Sequence, residues 1–246
     1  MSDDYDSQVS SLTAQLTSLF THPPAEVSSI IKASPILSAC SEALAVSLLS
    51  SVQSNPASID ALVQPLVRDL ATTEDVRFTD EDAGYIDTPF NTVFQIDLAE
   101  NLSNALHETQ LHKPKQTSII PQNTVLSSAI FAGSALRNGL LSSNAIYAFV
   151  GQGLQLPEAT IEQERKEVVA IGACLLLLVA GNTLLDKWMS ESDRLEKVVK
   201  ALESLKERGV IGHPTGVTLL ERTIDAAKDG FATTVTATDA WKLVFP

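Results

Sequence analysis

The sequence is poor in the residues that mark secreted proteins. Only two cysteines, Cys40 and Cys174, occur in 246 residues, and both lie in apolar stretches with helical spacing. A secreted disulfide scaffold carries several cysteines at short spacings, so we expect both thiols to be core side chains. The chain opens with Asp3, Asp4 and Asp6 instead of a basic start and an apolar run, which predicts that it is not exported. These features favour the cytoplasm, and also allow the nucleus.

The sequence also lacks the motifs that accompany catalysis. Its four histidines fall at predicted helix ends or in loops, and none has a second histidine three or four residues away on a helix. Gly151 and Gly153 have no third glycine and no preceding strand, so they do not form a dinucleotide loop. We therefore predict no enzyme activity, no metal site and no cofactor. The histidines are His22, His107, His112 and His213.

Basic residues are scarce. Seventeen Lys and Arg residues stand against thirty Asp and Glu residues, which gives a formal net charge of −13. Binding to a phosphate backbone depends on clustered basic side chains that displace counterions. The charge therefore argues against direct nucleic acid binding and favours a basic protein partner.

One apolar run is long, but it is too short for a membrane span. Val168 to Ala180 is uninterrupted over about 13 residues, whereas a bilayer span takes about 20. Charged residues flank the run, including Glu167 and Asp186, and neither end carries an aromatic belt. We expect a helix from Ile161 to Leu185 that is buried on all sides, with no membrane contact.

Helical periodicity dominates the rest of the chain. Apolar residues recur at three- and four-residue spacings in about nine or ten segments with short connections, and no long alternating strand pattern occurs. This predicts an all-α fold of stacked antiparallel helical hairpins, a HEAT-like α-solenoid, as a single domain over residues 1–246. The pattern disappears over residues 72–89, which predicts an acidic loop. Residues 232–246 are either a docked short helix or a C-terminal tail.

Three segments of the second half resemble a known family. The first is AIFAGSALRNGLLSSNAIYAFVGQGLQ at Ala129 to Gln155, in which a small-residue helix ends at Arg137-Asn138-Gly139 and a second helix follows two serines. The others are GACLLLLVAGNTLLDK at Gly172 to Lys187 and GVTLLERTIDAAKDGF at Gly216 to Phe231. Together they resemble the middle domain of the eukaryotic cap-binding scaffold initiation factor, the four-G middle domain, in its small single-domain members.

The resemblance implies an adaptor in messenger RNA translation, processing or export. Its implied partner is a DEAD-box helicase, a translation factor or another RNA-associated protein. Several family members are basic and touch RNA directly, whereas this chain is acidic, which leaves protein binding as the implied activity. The first half of the chain fits the family only as generic helices.

Two surfaces are candidate contacts for a protein partner. One is the acidic loop, through Asp80, Glu81 and Asp82; the other is the turn at His213 and Pro214 beside a mixed-charge helix. That helix contributes Arg194 and Lys197. Two other functions stay open: a self-assembling helical structural or coat protein, and a helical enzyme or lipid-binding protein with an apolar pocket along Val168 to Leu185. A homodimer is compatible with each of them.

Overall fold

The protein is helical almost throughout. The computed structural model describes residues 2–20, 26–80, 84–107, 123–142, 144–155, 165–188 and 194–245. Within these ranges twelve α-helices, two short 3-10 helices and one two-stranded sheet are present, so the predicted all-α class is confirmed. The α-helices are α1 (Ser2–Leu19), α2 (Val27–Ala33), α3 (Leu37–Ser54), α4 (Ile59–Leu70), α5 (Phe90–Leu106), α6 (Asn123–Arg137), α7 (Asn144–Gly153), α8 (Lys166–Ala180), α9 (Asn182–Trp188), α10 (Arg194–Glu207), α11 (Pro214–Lys228) and α12 (Ala237–Val244).

The core is built around the pair α6 and α8. Helix α6 contacts α3, α4 and α5 from the first half of the chain and α8, α9 and α12 from the second. The buried apolar side chains therefore form one contiguous cluster that runs from Leu16 to Val244. The stacking of these helices as a HEAT-like solenoid remains a prediction.

Helix α8 confirms the prediction of a fully buried helix, but it is shorter than expected. Every residue from Val169 to Ala180 is buried. The predicted end of this helix at Leu185 is wrong. The helix ends before Gly181, which has a φ of +56° and separates α8 from α9. Glycine adopts this left-handed conformation without the steric cost of a Cβ atom. No helix in the described ranges has the length and apolarity needed to cross a bilayer.

The segment predicted as an acidic loop is a β-hairpin. A 3-10 turn (Ala71–Thr73) leads into strand β1 (Arg77–Asp80), which pairs antiparallel with β2 (Tyr85–Pro89). The Phe78 and Tyr85 rings lie 5.8 Å apart across the two strands. The sequence prediction was wrong here because the two strands, RFTD and YIDTP, contain few apolar residues and show no clear alternation of apolar and polar positions.

The C-terminal segment is docked, which resolves the alternative between a short helix and a tail. Helix α12 packs against α4, α6, α8 and α11. The Asp60 carboxylate of α4 accepts a hydrogen bond of 3.0 Å from the Thr238 backbone N–H at the start of α12. Arg137 at the end of α6 donates to the carbonyls of Val179 and Val235, and its guanidinium lies 3.8 Å from Asp60. Asp60 of α4 and Arg137 of α6 therefore hold the segment in place.

Candidate functional site: an acidic cleft

A cavity lies between α1, α3, α5 and the β-hairpin. It encloses about 500 Å³, within the range of ligand pockets in proteins. Its charged lining consists entirely of carboxylates, which come from the hairpin, α3 and α5. We call this cavity the acidic cleft. Its lining residues are Tyr5, Ser38, Glu42, Asp80, Tyr85, Val93, Asp97, Glu100, Asn101 and Asn104.

Helix α5 places a polar stripe along one wall of the acidic cleft. Asp97, Glu100, Asn101 and Asn104 follow at intervals of three, one and three residues, which aligns them on one face of the helix. The opposite face carries the buried side chains of α5, including Leu98 and Leu102. Burial of the apolar face therefore fixes the direction in which the carboxylates point.

Helix α3 supplies the facing wall. Apart from Glu42 and Gln53 its residues are apolar or small, and Glu42 is its single charged residue. The Tyr5 hydroxyl of α1 donates a hydrogen bond of 2.9 Å to Glu42, which ties the beginning of α1 to the rim. The Ser41 hydroxyl, also on α3, donates to the Asp97 carboxylate across the helix pair.

The carboxylates of the cleft lie close together and are partly removed from water. Burial raises the pKa of Asp97, and the neighbouring charges of Glu42 and Glu100 raise it further, while the bond from Ser41 acts in the opposite direction. Burial and the bond to Glu42 raise the pKa of Tyr5 to about 12. The pKa of Tyr85 is raised by burial and then by Asp97, Glu100 and Asp80. A bound cation would relieve this repulsion, so the cleft is suited to hold positive charge.

The half of the chain that builds the cleft also carries nearly all of the net charge. Residues 1–106, which contain α1 to α5, include 15 acidic and 3 basic residues, whereas residues 107–246 include 15 acidic and 14 basic residues. Residues 1–106 therefore carry a formal charge of −12, against −1 for residues 107–246. A basic partner would be steered toward that half.

Of the sequence-predicted contact residues, Asp80 belongs to the acidic cleft. It is half-buried at the end of β1. Glu81 and Asp82 lie outside the described residues. The sequence analysis did not identify the remaining carboxylates of the cleft. Two signals were available: Glu42 is the lone charge of an apolar helix, and Asp97 and Glu100 are spaced to lie on one helix face.

The second predicted surface lies on a different pair of helices. Arg194 is the first residue of α10, and its side chain lies outside the described part of the chain; Lys197 is exposed on the same helix. His213 and Pro214 begin α11, which packs against α10. The structure therefore does not unite Asp80 with Lys197, His213 and Pro214 in one site.

The turn at His213 is held by a residue from far along the chain. Oε1 of Glu167, in the first turn of α8, accepts hydrogen bonds of 2.8 Å from the backbone N–H groups of both Gly212 and His213. The carboxylate thus satisfies the two backbone N–H groups that directly precede Pro214, the first residue of α11. The His213 Nδ1 atom is buried without a hydrogen-bond partner. This geometry gives the turn a structural role.

A second, smaller cavity of about 190 Å³ lies between α4, α5 and the turn after α6. Its lining is largely apolar and includes Leu70, Phe94 and Leu140, with Glu74 at its edge. Neither described cavity includes a residue of α8, the helix beside which an apolar ligand pocket was expected as an alternative. In the described ranges no group of three or more His, Cys, Asp or Glu residues has the arrangement of a metal site.

No protein-family model matches the chain, and no curated protein or solved structure is detectably similar to it.

Proposed function

We propose that the chain is a protein-binding adaptor that holds a basic segment of a partner protein in the acidic cleft. The observation that carries this proposal is the cavity itself. Carboxylates from three separate elements, Glu42, Asp80 and the α5 pair Asp97 and Glu100, converge on one space of about 500 Å³. Elements distant in sequence bring these like charges together despite their mutual repulsion, and a cationic ligand would offset that cost.

A basic protein segment fits the cleft better than a nucleic acid does. Phosphate groups would meet only negative charge in the cleft and a formal net charge of −13 over the molecule. Lysine and arginine side chains reverse that interaction, and their methylene stems can lie against Val93 and the tyrosine rings. The proposed partner is therefore a protein with an exposed basic stretch.

The resemblance of Ala129 to Phe231 to the four-G middle domain supports a narrower version of this function. In that version the adaptor acts in messenger RNA translation, processing or export, and the partner is a DEAD-box helicase, a translation factor or another RNA-associated protein. Proteins of this kind commonly carry basic segments, as their RNA contacts require. The resembling residues lie in the second half of the chain, whereas the acidic cleft lies in the first, so the two proposals rest on separate observations.

Affinity capture from a cell extract tests the adaptor function. The parent protein should recover a defined partner, and Glu42→Gln combined with Glu100→Gln should lose it, because the double variant removes two of the four carboxylates and keeps the side-chain shapes. Glu207→Gln is the matched control, since Glu207 is exposed on α10 and does not line the cleft. Equal recovery of the same proteins by parent and double variant would contradict the cleft as the binding site.

Two rival functions make different predictions. A self-assembling structural or coat protein would form rings, filaments or large particles, which light scattering of the pure protein detects. A protein with an apolar ligand would retain a small molecule through purification, visible by mass spectrometry after denaturation. A monomer or homodimer without a retained ligand is the result expected for the adaptor.

A further inference from the structure

The acidic cleft has aromatic walls as well as carboxylates. Tyr5 comes from α1 and Tyr85 from β2, so the two rings approach the cavity from separate elements. Each ring is held by a second contact: the Tyr5 hydroxyl bonds to Glu42, and the Tyr85 ring lies 5.8 Å from that of Phe78 at an interplanar angle of 58°. The rings therefore form fixed surfaces beside the negative charge.

This combination distinguishes between the two basic side chains. The arginine guanidinium is planar, stacks on aromatic faces and binds carboxylates through two parallel hydrogen bonds. The lysine ammonium is a compact point charge that holds its water more strongly. A half-buried carboxylate such as Asp97 is already partly desolvated, so it favours the cation that gives up less hydration on entry.

We infer that the acidic cleft selects arginine over lysine in the segment that it binds, with Tyr85 as the residue that determines the selectivity. This inference rests on the proposed function and names the chemistry of the partner: an extended segment with at least one arginine. The cavity has room for more than one side chain, and its amide groups on Asn101 and Asn104 can bond to the backbone of such a segment.

Tyr85 is better suited to this role than Tyr5. The Tyr5 hydroxyl is already engaged by Glu42, and α1 packs along α3, so a change at Tyr5 would disturb the helix packing. Tyr85 stands on a short hairpin of half-buried and exposed residues. Its ring can be removed with little effect on the helical core.

The test uses two short peptides that are identical except for their basic residues. One carries two arginines and the other two lysines, separated by glycine, with both termini blocked. Binding to the full chain is measured by isothermal titration calorimetry at one fixed ionic strength. We expect the arginine peptide to bind roughly tenfold more tightly, the size of effect that a desolvated cation–π contact supports.

Two variants of Tyr85 distinguish the contribution of its aromatic ring to binding from that of its hydroxyl. Tyr85→Leu removes the aromatic face and should bring the affinities of the two peptides close together. Tyr85→Phe keeps the face and should keep the preference for arginine. Glu207→Gln should change neither affinity, and circular dichroism of each variant confirms that the helices are intact.

The outcomes separate the inference from the proposed function. Equal binding of both peptides, abolished by Glu42→Gln with Glu100→Gln, would overturn the arginine selectivity and leave the acidic cleft as a binding site for basic segments. A preference for arginine that survives Tyr85→Leu would overturn the role of Tyr85. Tighter binding of the lysine peptide would overturn the selectivity, and failure of both peptides to bind would overturn the cleft as a cation site altogether.

Discussion

At Asp97 the negative charge of the acidic cleft and the stability of the fold oppose each other. Burial and two neighbouring carboxylates raise its pKa, so the native state holds the proton more tightly than the unfolded chain does. The stability contributed by this residue is therefore present at low pH and is lost as the pH rises from the ordinary carboxyl pKa through the raised native value. At neutral pH the ionised side chain costs stability and supplies negative charge to the cleft.

Replacement of Asp97 with asparagine tests this opposition. The amide oxygen still accepts a hydrogen bond from Ser41, but the side chain no longer ionises. We expect Asp97→Asn to match the parent in acid and to be as stable or more stable at neutral pH, by at most about 1 kcal/mol, because solvent screens a partly exposed charge. Urea unfolding of both proteins across the acidic and neutral range gives the comparison. A loss of stability that is equal at all pH values would show that the native ionisation of Asp97 does not oppose folding.

A second prediction at the residue scale concerns the reactivity of the two cysteines. Both side chains are fully buried, and burial raises the pKa of Cys40 to about 11 and that of Cys174 to about 12. Because the thiolate is the reactive form, neither cysteine should react with an aromatic disulfide reagent at neutral pH in the native protein. Both should react in concentrated guanidinium chloride. Rapid native reaction of one thiol would mean that the surrounding helices open on the time scale of the assay.

At the scale of secondary structure elements, the sequence predicts best those features that depend on neighbouring residues. Helix α6 ends at Arg137, as its Arg137-Asn138-Gly139 stop predicts, and the Leu140 N–H bonds back to the Ala135 carbonyl over 2.8 Å. The burial of α8 follows directly from its unbroken apolar run. These signals are local, so no knowledge of the tertiary structure is needed to use them.

The features that the sequence does not predict depend on residues far apart in the chain. Glu167 appears in the sequence as the acidic first turn of its own helix, and nothing local indicates that it holds the start of α11, 46 residues away. Likewise, the acidic cleft forms only when α3, α5 and the hairpin meet, so its carboxylates appear in the sequence as ordinary solvated charges. The resemblance to a family could not supply this information, because it covers only the second half.

The crossing of α6 and α8 depends on a small residue at the contact. A Cβ atom at Gly133 would lie 2.9 Å from the Val179 Cβ and 3.0 Å from the Leu176 carbonyl oxygen. Gly133→Ala should therefore destabilise the protein by about 1–3 kcal/mol through overpacking, despite the gain of roughly 1 kcal/mol in helix propensity. Urea unfolding measures the difference.

The next residue provides the control for this change. The Ser134 Oγ atom is buried without a hydrogen-bond partner, so Ser134→Ala removes an unsatisfied hydroxyl from the same helix without adding volume. It should be neutral or stabilising by up to about 1 kcal/mol. If both alanine variants destabilise the protein equally, the close contact at Gly133 is not the cause.

Helix α12 yields a prediction about local opening. The Asp60 carboxylate binds its first turn and lies beside Arg137, so Asp60→Ala should free the Thr238 N–H and weaken the hold on residues 232–245. We expect hydrogen exchange in α12 to accelerate about tenfold or more, since the loss of a bond to a charged acceptor costs about 1.5–3 kcal/mol. Asp60→Asn keeps an acceptor and should show a smaller effect. Unchanged exchange in Asp60→Ala would mean that apolar packing alone docks the helix.

At the scale of the whole molecule, the charge is divided unequally along the chain. The first 106 residues contain five times as many acidic as basic residues, while the remainder is nearly balanced. The acidic cleft is lined by residues of this acidic part of the chain, so under the proposed function long-range attraction and short-range binding would act at the same place. Attraction of this kind raises the association rate and weakens as salt screens charges beyond about 8–10 Å.

Binding of an arginine peptide should therefore show two kinetic components that respond differently to salt. Between low and physiological ionic strength the association rate should fall about tenfold or more, whereas the dissociation rate should change little, because contacts inside the partly enclosed cleft are less screened than the surface charge. Stopped-flow measurements resolve the two rates. Neutralising Glu74 and Asp75, which are exposed in the acidic part of the chain and do not line the cleft, should slow association alone, whereas Glu42→Gln with Glu100→Gln should also speed dissociation. If salt acted mainly on dissociation, charge would stabilise the bound state and would not steer the encounter.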